Sequence, residues 1–275
     1  MIDIQNIDFK YAGAKEKVFQ NFSLQLKENN IYGLLGKNGT GKSTLLYLIA
    51  GLLRPKSGTV SIDGIKTLKR HPEFLKDLFI VPEEYDMPAM TLKEYVSVNA
   101  PFYPHFSQEV LQRCLSDFEM PSSLQLQSLS MGQKKKVLMS FALATGTKLL
   151  MMDEPTNGLD IPSKVQFRRA VANNMSEERT LIISTHQVHD VESLLDHILI
   201  LTRSNLLLNA SVNDICQKYN FEFRTPGAAT DDVLYSEPSM QGNAVVTYRK
   251  EGMAETPLNL ELLFNAVTLG KVSMK

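Results

Sequence analysis

Apolar and polar side chains alternate along the first part of the chain. The alternating apolar positions are Ile2, Ile4, Ile7 and Phe9, followed later by Phe22, Leu24 and Leu26. A period of two residues places every second side chain on the same face of a β-strand. We therefore predict half-buried, antiparallel strands in the N-terminal region.

A second pattern consists of continuous apolar runs of strand length. They cover residues 31–35, 78–81, 149–152, 181–184 and 197–200. Runs without alternation are typical of strands that are buried on both faces, as in a parallel sheet. Because stretches of helical length separate the later runs, the sequence predicts a parallel sheet covered by helices.

Residues from about 85 to 145 have helical character. Thr91 and Glu94 have the spacing of a capping box, and Ser107 is a second candidate N-cap. We interpret this region as a helical insertion within a first domain of residues 1–210. Residues 211–275 form a less regular accessory segment, with a strand-like run at 244–248 and a short helical pattern at 258–264.

Composition narrows the class of protein. The 275 residues are 43% hydrophobic, which suffices for a substantial core, and 29 basic against 30 acidic residues give a net charge of −1. No overall field therefore attracts nucleic acid or anionic lipid. Cys114 and Cys216 lie far apart, which indicates no disulfide framework and favours a reducing cytoplasm. No secretory signal pattern and no apolar run of ~18 residues occur, so we expect a membrane role only through a partner.

The strongest chemical signal lies directly after the first apolar run. Residues 36–43 read GKNGTGKS and fill every position of the pattern G-x-x-x-x-G-K-S. Such a loop surrounds polyphosphate with backbone N–H groups at a helix N-terminus. Lys42 adds a positive charge for the outer phosphates, and the Ser43 hydroxyl is placed to ligate Mg²⁺. The chain is therefore predicted to bind a nucleoside triphosphate.

A second chemical signal ends the apolar run at 149–152. Asp153 and Glu154 follow it. At the end of a strand beside the phosphate loop, Asp153 would lie near Mg²⁺ and Glu154 could polarise a water in line with the γ-phosphate. Taken alone, two acids after a strand are more often solvent-exposed caps; the phosphate loop upstream favours the catalytic interpretation.

Residues 129–133, which read LSMGQ, identify the family. They occur in order with residues 36–43, 149–154, 158–160 (GLD) and 184–186 (STH). Over roughly residues 1–210 the chain resembles the ATP-binding subunit of ABC transporters, and its tail resembles those of the exporter-like subfamily. The resemblance implies an α/β fold: a P-loop NTPase core with a mixed, mainly parallel sheet, an N-terminal antiparallel β subdomain and an inserted α-helical subdomain.

The resemblance also implies roles for individual residues. The residues that it assigns to ATP binding are Tyr11, Gly36, Lys37, Asn38, Gly39, Thr40, Gly41, Lys42, Ser43 and Thr44. It assigns catalysis to Glu154, His186 and Lys42, and metal binding to Ser43, Asp153 and Glu83. A tyrosine at the end of a strand is commonly only a packing residue, and a lone histidine after a strand is more often structural. These remain the alternatives for Tyr11 and His186.

In the family, the LSxGQ signature faces the γ-phosphate bound to the opposite subunit. This implies that Ser130, Met131, Gly132 and Gln133 act in trans, so that two chains enclose two ATP molecules head to tail. Asp160 matches the acid that communicates between the two sites, and Ser130 would also serve as an ordinary helix cap. For Lys134, Lys135 and Lys136 we favour a solvated helix face, with a phosphate-facing role as the alternative.

Glu83 departs from the family pattern. The family usually has a Gln after the strand that ends here at Val81, where it contacts Mg²⁺ and senses the membrane partner. A carboxylate at this position ligates Mg²⁺ more strongly but adds repulsion beside the triphosphate. Because some subtypes of the family have Glu there, we expect Glu83 to be compatible with activity and to take part in coupling.

The favoured function is that of a transporter motor. By resemblance, this ATPase uses ATP and Mg²⁺ and dimerises with itself or a homologous partner. It would act on separate transmembrane permease subunits at the cytoplasmic face of the membrane, with no nucleic acid expected. The region 85–103 offers an apolar and aromatic docking groove, or else forms core.

The alternative function is that of a soluble ABC ATPase acting on ribosomes or DNA. A phosphate-loop kinase or GTPase would leave residues 129–133 unexplained.

Overall fold

The computed structural model describes residues 1–225, 227–228, 230–240, 242–250 and 252–274. In chain order, the strands are β1 (Ile2–Phe9), β2 (Phe19–Leu26), β3 (Ile31–Leu35), β4 (Ser57–Ile62), β5 (Ile65–Lys66), β6 (Leu78–Val81), β7 (Leu149–Asp153), β8 (Thr180–Thr185), β9 (His197–Thr202), β10 (Asn205–Ser211), β11 (Tyr219–Arg224), β12 (Val233–Ser239) and β13 (Gly242–Tyr248). The α-helices are α1 (Lys42–Ile49), α2 (Pro72–Leu75), α3 (Leu92–Asn99), α4 (Gln108–Asp117), α5 (Met131–Ala144), α6 (Ile161–Asn174), α7 (Val212–Lys218) and α8 (Leu260–Thr268).

A six-stranded sheet forms the centre of the fold. Its strand order is β10-β9-β3-β8-β7-β6, and all neighbours are parallel except the β9–β10 pair. The predicted parallel sheet is confirmed. In the register, Leu35 is paired with Thr185, and Asp153 with Ser184. The carboxyl ends of β3, β7 and β8 therefore meet at one edge, which brings the phosphate loop beside residues 153–154 and 186.

The N-terminal region forms a second, antiparallel sheet with the order β2-β1-β4-β5, as predicted. Helix α1 packs between this sheet and the central sheet and contacts β4, β7 and β8. Its apolar side chains Leu45, Leu46, Leu48 and Ile49 are at most 1% exposed. Because burying one such side chain contributes roughly 1.5–3 kcal/mol, α1 and the loop before it are held firmly in place.

The predicted helical insertion is also confirmed. Thr91 and Glu94 form a reciprocal capping box at the start of α3, and the Ser107 hydroxyl accepts a hydrogen bond from Val110 N at the start of α4. Helix α5 packs against α4 and contributes Phe141, which is fully buried. The rings of Phe79, Tyr95, Tyr103 and Phe106 surround Phe141 at centroid distances of 5.1–6.2 Å.

The segment after residue 210 contains more regular structure than the sequence predicted. The described residues there form α7, an antiparallel sheet of order β11-β13-β12, and α8 packed against that sheet. The strand-like run at 244–248 is β13, whereas β11 was not predicted because a buried polar residue interrupts its pattern. Asn220 is 2% exposed, and its side chain accepts a hydrogen bond from Thr256. The predicted helix at 258–264 exists but covers Leu260–Thr268.

Candidate active site

The phosphate loop connects β3 to α1 in a conformation that depends on glycine. Gly39 and Gly41 have φ angles of 79° and 104°, in the left-handed region that other residues seldom adopt. At Gly36, a side chain would place its Cβ 2.6 Å from Leu201 O. The backbone of Lys37 closes the turn by accepting hydrogen bonds from Thr40 N and Oγ1. The loop is thus fixed by its own sequence.

Lys42 lies at the centre of the site and is 6% exposed. Its Nζ donates to Gly36 O at 2.9 Å and lies 3.3 Å from Glu154 Oε1. The loop backbone and the acid after β7 therefore converge on one ammonium group. An ammonium in this position supplies the positive charge that phosphate oxygens require.

Asp153 is 1% exposed, and its two carboxylate oxygens differ in their surroundings. Oδ1 accepts a hydrogen bond from the Ser184 hydroxyl, whereas Oδ2 is buried and has no hydrogen-bond partner among the described residues. Burial raises the pKa of Asp153, and the Ser184 hydrogen bond and the nearby Ser43 hydroxyl oppose this shift. The site thus contains a carboxylate oxygen without a partner and a nearby hydroxyl.

This arrangement fits Mg²⁺, which prefers oxygen ligands and keeps several waters while sharing substrate phosphates. Ser43 and Asp153 are the residues that would hold it. The described residues contain no group of three or more His, Cys, Asp or Glu that could bind a metal on their own. A site built from one hydroxyl, one carboxylate and phosphate oxygens is consistent with that finding.

Glu154 is 4% exposed and has a φ of 45°, which is unusual for a residue with a side chain. Its N–H donates to Ser184 O at 3.0 Å, which fixes the bend. Its carboxylate lies 2.9 Å from His186 Nδ1 and accepts a hydrogen bond from His186 N. The backbone strain and these contacts hold the carboxylate towards Lys42, where a base or a positioned water would act.

A cavity of about 280 Å³ lies beside Lys42 and Glu154, and Asp153 and His186 are not among the described residues that line it. The residues lining it are Tyr11, Val18, Asn38, Gly39, Gly41, Lys42, Ser43, Thr44, Glu83 and Glu154. Tyr11 is 43% exposed, and its hydroxyl lies 3.0 Å from Thr44 Oγ1. The Tyr11 hydroxyl therefore anchors a partly exposed ring beside the cavity.

Glu83 follows β6 and reaches the same cavity. Its Oε1 accepts a hydrogen bond from Asn157 Nδ2 at 3.0 Å. Asn157 belongs to the turn after Glu154, in which Asn157 N donates to Glu154 O. The end of β6 and the turn after β7 are therefore connected through side chains beside the site.

The signature residues and Asp160 are not among the described residues that line this cavity. Ser130 caps α5: its hydroxyl accepts from Gln133 N, and Gln133 Oε1 accepts from Ser130 N. Met131 is 58% exposed. Asp160 caps α6 by accepting from Ser163 N, and the hydrogen bonds from Ser163 lower the pKa of Asp160. The signature and Asp160 therefore lie apart from the cavity beside the phosphate loop.

The interpretation of residues 134–136 as a solvated helix face was wrong for Lys135. This side chain is 5% exposed, and its Nζ donates to Glu154 O at 3.2 Å and to Asn157 O at 2.7 Å. Lys136 donates to Gln166 Oε1. Three consecutive helical residues span about 200° of the helix circumference, so they cannot all share one face. This helical spacing is the sequence signal that could have identified Lys135 as buried. No sequence signal pointed to Asn157.

Among the residues that the structure describes, no helix combines the length and the apolar character that a membrane crossing requires.

Comparisons with known proteins agree with this geometry. The family described as ABC transporter matches residues 19–157. The chain is 27% identical to the ABC transporter ATP-binding protein YtrB of Bacillus subtilis over 223 residues, 80% of this chain and 75% of YtrB. It is 29% identical to the bacitracin transport ATP-binding protein BcrA of Bacillus licheniformis over 209 residues, 74% of this chain and 68% of BcrA.

Among solved structures, the fold is similar to that of a dimeric ATP-binding cassette in a post-hydrolysis state with ADP and Pi. The TM-score is 0.67 at 25% identity, over 77% of this chain and 99% of the other. The similarity therefore extends from the family's sequence motifs to the folded cassette.

Proposed function

We propose that this chain, which belongs to the ABC transporter family and is an ATP-binding and ATP-hydrolysing subunit, pairs head to tail with a second ATP-binding subunit. Each ATP would lie between the phosphate loop of one subunit and the signature of the other. The pairing partner is a second copy of this chain or a homologous subunit. Closure of the dimer would drive conformational change in separate transmembrane subunits at the cytoplasmic face of the membrane.

The observation that carries this proposal is the convergence of the ends of β3, β7 and β8 at one edge of the central sheet. There Glu154 lies within ion-pair distance of Lys42 and within hydrogen-bonding distance of His186. Ser130 and Gly132 lie elsewhere, at an exposed helix start on the same chain. A bound γ-phosphate would be enclosed only on one side by a single copy. The partner's helix N-terminus would complete the enclosure while that phosphate remains.

We infer that Glu154 acts as the base for the attacking water. His186 holds its carboxylate, and Lys42 would neutralise charge on the phosphates. Mg²⁺, held through Ser43 and Asp153 with Glu83 at the edge of the cavity, would offset negative charge on the phosphate oxygens. Hydrolysis would remove the group that holds the two subunits together, so ATP would act as a reversible clamp.

A second cavity, of about 660 Å³, supports a docking role for the helical insertion. Its walls include Leu52, Arg70, Phe79, Phe102 and Tyr103. Phe102 is 69% exposed where it lines this cavity, so its ring is accessible to a partner. In contrast, Tyr95 packs against the buried Phe141. We propose that part of the predicted groove serves as core and that the Phe102 end receives a helix of a transmembrane subunit.

The Glu154→Gln variant tests the assigned base. Glutamine keeps the size of the side chain but cannot accept a proton from water. We expect ATP binding to persist and turnover to fall by roughly a hundredfold or more, measured as phosphate release by the purified full chain. The exposed Glu109, changed to Gln, is the matched control and should leave turnover unchanged. Undiminished hydrolysis in Glu154→Gln would refute the assignment.

Co-purification tests the partner. Tagged Glu154→Gln protein is expressed in the native cell, and its membranes are solubilised in mild detergent with ATP and Mg²⁺. We expect a membrane protein with several transmembrane segments to co-purify in stoichiometric amount. Recovery of ribosomes or DNA in its place would support the soluble ABC ATPase and contradict the transporter role.

A further inference from the structure

Lys135 is a buried cation that the roles described above do not use. It lies in the second turn of α5, is 5% exposed, and reaches the turn formed by residues 154–157. Its Nζ donates to the main-chain oxygens of Glu154 and Asn157 at 3.2 and 2.7 Å. Burying an ammonium group is costly unless its hydrogen bonds are made. This side chain is therefore held by specific contacts and not by apolar packing alone.

The turn that Lys135 contacts carries the proposed base. Glu154 O accepts a hydrogen bond from Asn157 N as well as from Lys135. Glu154 itself has a left-handed φ of 45°, a conformation that persists only where the surroundings enforce it. The Lys135 ammonium donates hydrogen bonds to both ends of this turn and therefore helps to hold Glu154 in that conformation.

Nearby charge is consistent with a cation at this position. Burial lowers the pKa of Lys135, but the carboxylates of Glu83, Glu154 and Asp153 oppose this shift. Glu83 also accepts a hydrogen bond from the Asn157 side chain. Lys135 thus lies among three carboxylates that favour its charged form.

We propose that Lys135 is a positioning residue that holds the Glu154–Asn157 turn and ties it to helix α5. The first turn of the same helix carries Ser130 and Gly132. One rigid helix would then connect the signature that serves the partner's ATP to the base that serves the chain's own ATP. This inference rests on the proposed dimeric function.

The first test is the Lys135→Met variant, which keeps the length of the side chain but removes its charge and its donors. A base displaced by about 1 Å can cost roughly a hundredfold in rate, so we expect kcat to fall by about ten- to a hundredfold. KM for ATP should stay within about threefold because the phosphate loop is not touched. The partly exposed Lys134, changed to Met, is the matched control and should retain wild-type kcat.

Two further variants separate positioning from general stability. Lys135→Arg keeps a cationic donor and should have a kcat between those of Lys135→Met and the wild type. Lys135→Gln replaces Lys135→Met if the latter does not fold, and its kcat should also fall without a change in KM. Unchanged kcat in the neutral variants, or an Arg variant as slow as the Met variant, would overturn the role.

ATP-dependent dimerisation tests separately whether Lys135 connects the Glu154–Asn157 turn to α5. In the Glu154→Gln background, Lys135→Met should weaken ATP-dependent dimerisation several-fold, because the helix start that meets the partner's phosphate loses its anchor. An unchanged dimer dissociation constant would overturn the tie. If the Glu154→Gln protein does not dimerise at all, or the wild type does not hydrolyse ATP, the proposed function fails instead.

Discussion

At the scale of single residues, Glu83 is a carboxylate at a position where the family resemblance led us to expect a glutamine. Its Oε1 accepts a hydrogen bond from Asn157 Nδ2, and a glutamine oxygen could accept the same bond. We therefore predict that Glu83→Gln retains ATP binding and changes turnover only a few-fold. Nucleotide binding and phosphate release on the purified variant check this prediction. Complete loss of binding would contradict it.

A second residue-scale prediction concerns pH. His197 is half-buried, packs on Tyr32 at 5.0 Å between ring centroids, and lies 2.7 Å from Asn209 Oδ1 through Nε2. Burial lowers the pKa of His197 in the folded state. Below the ordinary histidine pKa of about 6.5, the unfolded chain therefore binds more protons than the folded chain, and stability falls with falling pH.

We expect His197→Gln to flatten the loss of stability between about pH 7 and pH 5. Urea unfolding midpoints across this range measure the effect. The exposed His71, changed to Gln, is the control and should keep the wild-type slope. A slope that is unchanged in His197→Gln would mean that other groups carry the pH dependence.

The sequence predicted residues with local signatures better than residues defined by tertiary contacts. The phosphate loop, Asp153, Glu154 and His186 could be placed because each lies within two residues of the end of an apolar run, and parallel strands end at the same edge. Lys135 was misplaced because its two partners are main-chain oxygens 19 and 22 residues away. Backbone oxygens have no sequence signature, so such a contact cannot be identified before folding.

At the scale of elements, Arg179 connects the end of α5 to the central sheet. It is 5% exposed and donates from Nε to Thr147 O at 2.9 Å and from Nη1 to Leu143 O at 3.0 Å. Carbonyls near a helix C-terminus lack intrahelical partners and attract cations. The side chain therefore fixes the distance between the last turn of α5 and the start of β7.

We predict that Arg179→Met destabilises the fold by roughly 2–4 kcal/mol, because it leaves buried carbonyls without donors. Thermal unfolding of the variant is the measurement. Arg113, an exposed arginine 3.6 Å from Glu109, is the control, and its change to Met should cost no more than about 0.5 kcal/mol. Equal melting temperatures for both variants would contradict the structural role of Arg179.

Element prediction failed where the periodic signal was weak. Helices α3 and α4 were found because Thr91 and Ser107 are strong caps. Of the sheet of β11, β12 and β13, only β13 was predicted, as the run at 244–248. Strand β11 was missed because buried Asn220 interrupts its apolar pattern, and β12 was missed because none of its residues is fully buried. Pairing between distant strands supplied the hydrogen bonds that local sequence does not reveal.

At the scale of the whole molecule, the site is divided between two surfaces. The cavity beside Lys42 and the signature at the start of α5 belong to one chain but do not meet within it. Head-to-tail pairing of two copies would bring each signature to the other cavity. Because the site is divided in this way, the proposed ATP hydrolysis requires two subunits, and dimer assembly is the consequence to test.

The mass of the Glu154→Gln protein in solution, with and without ATP and Mg²⁺, tests this claim most directly. Light scattering on the purified full chain should give about the 30.9 kDa of one copy without nucleotide and about twice that mass with ATP. Adding Ser130→Ala should reduce the dimer fraction at the same ATP concentration. A protein that binds ATP yet stays monomeric at every concentration tested would contradict the account.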